Sequence, residues 1–270
     1  MVEITKKYKI GTRRFGLVNW YGTWTLYVKE VLRFLNVWAQ TLFSPLISSL
    51  LFLLVLSLAI GTERGEVLGV SFITFLAPGL IAMQIIQQAF SHSSSSLMIK
   101  KIDGTIVDLL FAPLSASEAT IAISLAAVTR SVLLAIISII TFTLIIDLQI
   151  QNYLTLISFT FLSSFILGNI GIIAGLWAEK FDNMATVTNF IIVPLSFLSG
   201  TFYSIERLPG FLQTVSEFNP FFYMIDGFRY SFIGTADGSI TFGIIYLVIL
   251  SFVSWLVAYI LYKKGYKIKS

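Results

Sequence analysis

Apolar residues in this 270-residue chain are concentrated in six long runs, which shorter polar connections separate. Each run is close to the roughly 20 residues that an α-helix needs to cross the hydrocarbon core of a bilayer. The hydrophobic pattern places the runs at Thr41–Ile60, Val67–Ser91, Ala119–Ile146, Tyr153–Ala178, Met184–Ser204 and Phe242–Tyr262. It therefore predicts an all-α integral membrane protein with six transmembrane helices.

A further helix is predicted before the first run. Aromatic and aliphatic residues between positions 20 and 38 alternate with Lys29, Glu30 and Arg33. This pattern is typical of an amphipathic helix that lies in the headgroup region of a membrane. The alternative is an aromatic anchor for the first span, and both interpretations place the segment at the cytoplasmic interface.

Two short helices are predicted between the fifth and sixth runs. Pro209 and Pro220 divide the segment 205–240 into two pieces that are rich in Phe and Tyr. Such pieces are typical of re-entrant helices, which dip into the membrane where neighbouring protein buries them. The alternative is a hairpin that lies on the lipid headgroups. The sequence leaves both alternatives open.

The connection between the second and third runs, Leu97–Glu118, predicts another short helix. Thr105 followed three residues later by Asp108 has the spacing of a capping box, and Pro113 ends the helix. The helix is strongly apolar but much shorter than the ~18 residues that a bilayer requires. We interpret it as an element that docks into a groove on a partner.

Composition supports a membrane protein and excludes several kinds of chemistry. Hydrophobic residues make up 56% of the chain and charged residues only 12%, which is more apolar surface than one water-soluble core would bury. The absence of cysteine and the single histidine, His92, argue against disulfides, redox chemistry and a metal site. The sequence contains no GxxxxGK[ST], HExxH or GxSxG motif. We predict no catalytic residues, no metal and no cofactor on this chain.

Basic residues predict the orientation. Of eighteen Lys and Arg residues, seven precede the first run, two lie between the second and third, one follows the fourth and four close the chain. A six-span model puts all of these on one side, so the positive-inside rule predicts that both termini are cytoplasmic. The predicted organisation is a cytoplasmic segment with its interfacial helix (1–40), a six-helix domain (41–262) and a basic cytoplasmic tail (263–270).

Polar residues inside the apolar runs are candidates for lining a translocation path or a substrate-binding site. Arg130 lies about ten residues into the third run, where a charge usually faces protein or a water-filled cavity; snorkelling to an interface is the alternative. Gln84, Gln87, Gln88 and Ser91 form one stripe on the second helix. This stripe either lines a path or bonds to neighbouring helices.

Glycines in the fourth run favour close helix packing. Gly171 and Gly175 form a small-xxx-small pair on one side of the predicted helix. We predict that a neighbouring helix approaches closely along this side.

With these features in place, the chain resembles the permease subunit of ABC-2 type exporters over nearly its whole length. The resemblance is carried by four segments: FLAPGLIAMQ (Phe75–Gln84), KIDGTIVDLLFAPLS (Lys101–Ser115), NPFFYMIDGFR (Asn219–Arg229) and the interfacial helix leading into VWAQTLFSPLISSLLF (Val37–Phe52). It implies a half-transporter in which two permeases pair. Each permease would engage a separate cytoplasmic ATPase, which binds the ATP and Mg²⁺.

The resemblance also implies roles for particular residues. The short helix becomes a coupling helix, whose candidate contacts to the ATPase are Lys100, Lys101, Asp103, Asp108, Leu109, Leu110 and Phe111. The re-entrant outer loop would include Asn219, Pro220, Asp226 and Arg229, and the interior polar candidates are Gln84, Gln87, Gln88 and Arg130. The implied function is ATP-driven export of an amphipathic or lipid-linked substrate across the inner membrane.

Two other classes of function are compatible with parts of the pattern. An ion-driven secondary carrier would need ionisable residues near the midplane, where only Arg130 qualifies. A membrane scaffold without transport activity would keep the docking element but need no polar lining. A neighbouring gene for a P-loop ATPase would distinguish both from the exporter.

Overall fold

The computed structural model describes residue 16 and residues 18–60 and 65–268. Most of the predicted cytoplasmic segment before the interfacial helix, and the last two residues of the basic tail, lie outside the described residues. Within these ranges the fold is all-α, and six helical segments are long and apolar enough to cross a membrane. They are Ala39–Ala59, Phe72–Ile102, Ala116–Ile146, Tyr153–Trp177, Phe181–Leu198 and Ile240–Lys263.

The helices follow one another with short connections. In chain order they are α1 (Trp20–Leu35), α2 (Ser44–Ile60), α3 (Phe72–Ile102), α4 (Ile106–Phe111), α5 (Ala116–Ile146), α6 (Tyr153–Trp177), α7 (Phe181–Val187), α8 (Val193–Leu198), α9 (Gly210–Phe218), α10 (Pro220–Ile233) and α11 (Ile240–Lys263). A π-helical turn, Ala39–Phe43, leads into α2, and a second one, Thr188–Ile192, joins α7 to α8. The fifth membrane-crossing segment therefore consists of α7, a π-helical turn and α8.

The second membrane-crossing helix is longer than predicted. We expected it to end at Ser91, where a polar serine-rich segment begins, but α3 continues to Ile102. Serine hydroxyls in this stretch bond to carbonyls three residues back, as from Ser94 to Ser91 (3.4 Å) and from Ser95 to His92 (3.1 Å). Because these bonds satisfy the hydroxyl groups of Ser94 and Ser95 within the helix, these two serines do not break it.

The capping box predicted at Thr105 and Asp108 is wrong. The Thr105 side chain makes no capping bond, and its backbone (φ −75°, ψ −1°) is helical instead of the extended conformation that caps usually have. The box lies at the start of α5, where the Glu118 amide donates to Ser115 Oγ (3.3 Å). In return, the Ser115 amide donates to a Glu118 carboxylate oxygen (2.7 Å).

Helix α3 lies at the centre of the bundle and packs against α5, α6 and α10. The predicted close approach along Gly171 and Gly175 is confirmed, since α6 uses this side to contact α3. A Cβ atom on Gly171 would lie 2.5 Å from the carbonyl oxygen of Phe90, and one on Gly175 would lie 2.9 Å from that of Ser94. Only hydrogen at these two positions lets the backbones approach so closely.

The outer helices expose apolar surface. Leu58 on α2, Phe190 before α8 and Phe252 on α11 are each more than half exposed. Water would disfavour such a surface, whereas lipid or another apolar subunit would accommodate it. The core therefore lies around α3, and α2, α8 and α11 surround it.

Candidate functional site

A cavity of 660 Å³ opens where the end of α1 meets α2, α3, α5 and α8. Met83 lines it toward one end of α3 and Ile99 lines it toward the other, sixteen residues or about 24 Å of helix apart. Its polar lining residues are Arg33, Gln40, Thr41, Ser44, Ser48, Gln84, Gln87, Gln88, Ser91, Ser95 and Arg130. The glutamine stripe of the sequence therefore faces a cavity.

Arg130 and the glutamine stripe lie together. The arginine is only 6% exposed, and its guanidinium donates to the side-chain oxygen of Gln88. Because the Arg130 side chain lies inside the protein beside the glutamine stripe, it does not snorkel to the membrane interface. Two buried donors here, Arg130 Nε and Gln87 Nε2, have no hydrogen-bond partner among the described residues. The residues around the cavity therefore include buried donors that the described part of the chain leaves unsatisfied.

A buried ion cluster joins α1 to α3 beside the cavity. The Glu30 carboxylate is 1% exposed, accepts a bond from Lys100, and lies 3.0 Å from Arg33 Nε. Burial works to raise the pKa of Glu30, but the charges of Lys100 and Arg33 together outweigh it and hold this pKa at about 2. Glu30 is therefore ionised at neutral pH.

Sequence reasoning missed Glu30 and Arg33 as partners of this cluster and of the cavity. It assigned both to the polar face of a helix in the headgroup region, whereas the Arg33 guanidinium also donates to the carbonyl of His92 (2.8 Å). The one available signal was a carboxylate three residues before an arginine on an otherwise aromatic helix. That spacing predicts the local pair but not its burial.

The basic pair predicted to contact the ATPase points into the chain instead. Lys100 is buried, and donates to Glu30 and to Ser96 Oγ (2.7 Å). Lys101 donates to the carbonyls of Leu176 (2.9 Å) and Ala178 (2.5 Å), which end α6. Because α3 continues through both lysines, their side chains follow its inner face and do not form a docking surface.

Helix α4 divides its residues between an inner and an outer side. Ile106 and Leu109 are buried within the chain, so Leu109 packs internally and is not an anchor for a partner. The outer side exposes Val107 and Leu110, and Phe111 is 85% exposed. The two carboxylates predicted as contacts, Asp103 and Asp108, are also exposed.

The start of α1 is bonded to the connection that contains α4. The Asn19 amide donates to Glu118 (2.7 Å), and the Asn19 side chain donates to the carbonyl of Pro113 (3.0 Å). From there α1, which is 16 residues or about 24 Å long, places Arg33 and Phe34 of its last turn in the cavity wall. One helix therefore links the α4 connection to the cavity.

The outer-loop residues predicted from the sequence lie together but away from the cavity. Asn219 caps α10 by accepting from the Phe221 amide (3.0 Å), and Pro220 is the first residue of that helix. The Asn219 side chain also donates to Ser199 Oγ (2.8 Å) just beyond α8. These bonds attach the start of α10 to the end of the fifth membrane-crossing segment.

Asp226 and Arg229 are buried in α10 and bond to backbone. Asp226 accepts from the amides of Asp237 (3.0 Å) and Gly238 (2.9 Å). Arg229 donates to the carbonyls of Phe75 (3.2 Å) and Gly200 (2.6 Å), and its guanidinium lies 3.9 Å from the centre of the Phe75 ring. They fix α10 to its neighbours and do not line the cavity.

Comparisons with known proteins point to one family. The model of the ABC-2 type transporter family matches residues 21–233. The inner membrane transport permease YadH of Escherichia coli K12 is 31% identical over 253 residues, which cover 93% of this chain and 98% of YadH. Nodulation protein J of Neorhizobium galegae is 23% identical over 245 residues, covering 88% and 92% of the two chains.

Proposed function

Because the chain belongs to the ABC-2 type transporter family and is a membrane transport permease, we propose that it is the permease subunit of an ATP-driven exporter. ATP and Mg²⁺ would bind to a separate cytoplasmic ABC ATPase. This chain would form the path along which the substrate crosses the membrane. The observation that carries the proposal is the link from the exposed outer side of α4, through α1, to the polar cavity.

Helix α4 is the proposed contact with the ATPase. Phe111 and Leu110 present apolar surface on a helix too short to span a membrane, and exposed Asp103 and Asp108 flank it. Aromatic anchors within a small apolar patch are typical of the energetically important part of a protein interface. Lys100, which is buried, and Lys101, which is half-buried, would hold α3 in place behind this surface.

Helix α1 is the proposed connection between the ATPase and the cavity. Closure of the ATPase pair on ATP would displace α4 and, through the Asn19 bonds to Pro113 and Glu118, the start of α1. A helix transmits such a displacement along its axis because its backbone bonds keep it rigid. The displacement would reach Arg33 in the cavity wall and change access to the cavity.

The proposed setting is an inner membrane with both termini cytoplasmic, which places α4 on the cytoplasmic side. Exposed Trp20, Tyr21 and Trp24 on α1 support an interfacial position for that helix. Helices α9 and α10 would form the re-entrant outer loop. The exposed apolar surfaces of α2 and α8 suit contact with a second copy of the permease and with lipid.

An amphipathic or lipid-linked molecule is the proposed substrate. Apolar side chains, including Phe34, Phe52 and Phe197, share the cavity wall with the glutamines and Arg130. A ligand with a polar head and an apolar tail would satisfy both parts of this wall.

The experiment compares copurification of the ATPase with matched variants. We expect Phe111→Glu, and likewise Leu110→Glu, to reduce recovery of the P-loop ATPase with the tagged permease at least about tenfold, because a charge replaces an apolar anchor. Phe211→Glu is the control, since Phe211 is 78% exposed on α9, at the opposite side in the proposed orientation. Equal ATPase recovery in all variants, with normal membrane insertion, would show that α4 is not the docking element.

A further inference from the structure

Aromatic side chains form a ladder along one face of α11. The ring centres of Phe252 and Trp255 are 6.2 Å apart, and those of Trp255 and Tyr259 are 5.8 Å apart with nearly parallel planes. The Nζ atom of Lys263 then lies 5.5 Å from the centre of the Tyr259 ring, within the range of a cation–π contact. The ladder therefore ends at a positive charge.

The length of this ladder matches one leaflet of a bilayer. Eleven residues separate Phe252 from Lys263, which is about 16 Å of helix. Half of the hydrocarbon core of a bilayer is about 15 Å thick. Because α11 is a membrane-crossing helix that ends at Lys263, and Phe252 is 60% exposed, the ladder extends from headgroup level to about the middle of the bilayer.

The chain after α11 folds back in a defined turn. Gly265 has the left-handed φ of 66°, and its amide donates to the carbonyl of Tyr262 (3.0 Å). The amide of Tyr266 donates to the carbonyl of Leu261 (3.1 Å), which completes a Schellman motif. Ile268 is then buried, at 5% exposed, in an apolar cluster. The segment that follows α11 is therefore packed on the protein.

Two lysines at the end of α11 have no internal partner. Lys267 is paired, since it donates to Glu179 (2.8 Å) and lies 5.9 Å from the ring centre of Trp177 at the end of α6. The side chains of Lys263 and Lys264 are exposed and make no ion pair or hydrogen bond with any residue that the structure describes. Backbone amides already bond the last carbonyls of α11, so these lysines are not needed as caps.

Unpaired cations beside an apolar ladder favour a ligand that has a negative head and an apolar tail. A soluble anion or an acidic protein surface could pair with the lysines, but neither would contact a ladder that lies within the membrane. Lysines immediately after a membrane-crossing helix are typical of sites for anionic lipid headgroups.

We infer that the end of α11 binds an anionic phospholipid of the cytoplasmic leaflet. Its phosphate would lie at Lys263 and Lys264, and an acyl chain would lie along Phe252, Trp255 and Tyr259. The inference goes beyond the proposed function and rests on it only for the choice of leaflet.

The test measures lipid binding to the purified permease in a neutral detergent by native mass spectrometry. The probes are phosphatidylglycerol, phosphatidylcholine with the same acyl chains, and glycerol phosphate. We expect phosphatidylglycerol to bind at least about tenfold more tightly than phosphatidylcholine, because each lysine near an anionic headgroup contributes about fivefold. Glycerol phosphate lacks acyl chains and should not displace it; full displacement would identify a soluble phosphate as the ligand and overturn the inference.

Matched lysine variants locate the headgroup. Lys263→Gln should weaken binding of phosphatidylglycerol about fivefold and leave phosphatidylcholine unchanged, and adding Lys264→Gln should remove most of the preference. Lys29→Gln is the control, since Lys29 is an exposed lysine on α1 that the proposed orientation places on the same side of the membrane. An equal loss in Lys29→Gln and Lys263→Gln would show a diffuse attraction to surface charge and no site.

A second pair of variants locates the acyl chain. Phe252→Ala should weaken both lipids at least about threefold, because it removes apolar contact area. Phe242→Ala, at the other end of α11 and also more than half exposed, should not. Unchanged lipid binding in Phe252→Ala would exclude the ladder from the site.

Two further results would overturn the inference. One is equal binding of phosphatidylglycerol and phosphatidylcholine by the wild-type protein. The other is a Lys263→Gln variant that loses ATPase recovery but keeps its lipid preference, since the lysines would then contact the partner. Lipid binding is measured without the ATPase, so its failure is separate from failure of the proposed function.

Discussion

Replacing Glu30 by glutamine would remove one charge from the cluster that joins α1 to α3 and keep the size of the side chain. The carboxylate is almost fully buried, accepts from Lys100 and lies 3.0 Å from Arg33. After the substitution, Lys100 would remain buried with the hydroxyl of Ser96 and a neutral amide as partners. We expect the variant to be strongly destabilised.

The expected loss of folding free energy in Glu30→Gln follows from two separate quantities, which agree in order of magnitude. Removing one partner of a buried ion pair typically destabilises a protein by about 3–5 kcal/mol. Independently, the shift of the Glu30 pKa from 4.5 to about 2 corresponds to roughly 3 kcal/mol in favour of the folded state at neutral pH. Because the folded-state pKa is lowered, this contribution is present above pH 4.5 and is lost as the pH falls toward 2.

The assay is thermal unfolding in detergent, followed by size-exclusion fluorescence. We expect the melting temperature of Glu30→Gln to fall by about 5–15 °C at pH 7, and the difference from wild type to shrink at low pH. Glu179→Gln is the matched control, since Glu179 pairs with Lys267 at 2.8 Å on the surface and both side chains are solvent-exposed. Exposed pairs contribute little because water screens them.

A double variant separates the ion pair from simple loss of packing. Glu30→Gln combined with Lys100→Met removes both charges, so it should be less destabilised than the sum of the two single variants. The reasoning would be refuted if Glu30→Gln melted within 2 °C of Glu179→Gln, or if the two single effects simply added.

Two further substitutions test the packing that positions the cavity. Gly171→Ala should lower the melting temperature by several degrees, because the new Cβ would lie 2.5 Å from the carbonyl oxygen of Phe90. Gly210→Ala, which meets no atom within 4 Å, should not lower it; a loss of equal size in both would contradict the predicted clash. Arg229→Met should destabilise the protein by about 2 kcal/mol or more, since buried carbonyls lose a charged donor, and exposed Arg207→Met should not. Equal melting temperatures for the two arginine variants would rule out this role for Arg229.

Several features followed from local sequence alone. Apolar run lengths predicted six membrane-crossing helices, and Pro209 and Pro220 predicted where α9 and α10 begin. The spacing of Gly171 and Gly175 predicted the side along which α6 meets α3. Each of these depends on the length, periodicity or backbone restriction of a single segment, so neighbouring residues are sufficient to predict it.

Other features depended on contacts between segments far apart in the chain. The sequence placed Lys100 and Leu109 on a docking surface. Helix α3 continues through Lys100, however, and the side chain of this lysine bonds to Glu30, seventy residues away in the chain. Leu109 packs against other residues of the chain. It also assigned Arg33 to the headgroup region, whereas the packing of α1 on α5 and the side-chain bonds from α1 to α3 bring this arginine to the cavity.

The sequence by itself therefore determined how many helices are long and apolar enough to cross a membrane and which polar residues lie within them. Only the tertiary structure decided which charges pair, which donors stay unused and which side of α4 is exposed. The physical reason is that hydrophobicity and helix period act over a few neighbouring residues. Burial and charge pairing instead depend on how whole helices are oriented against one another.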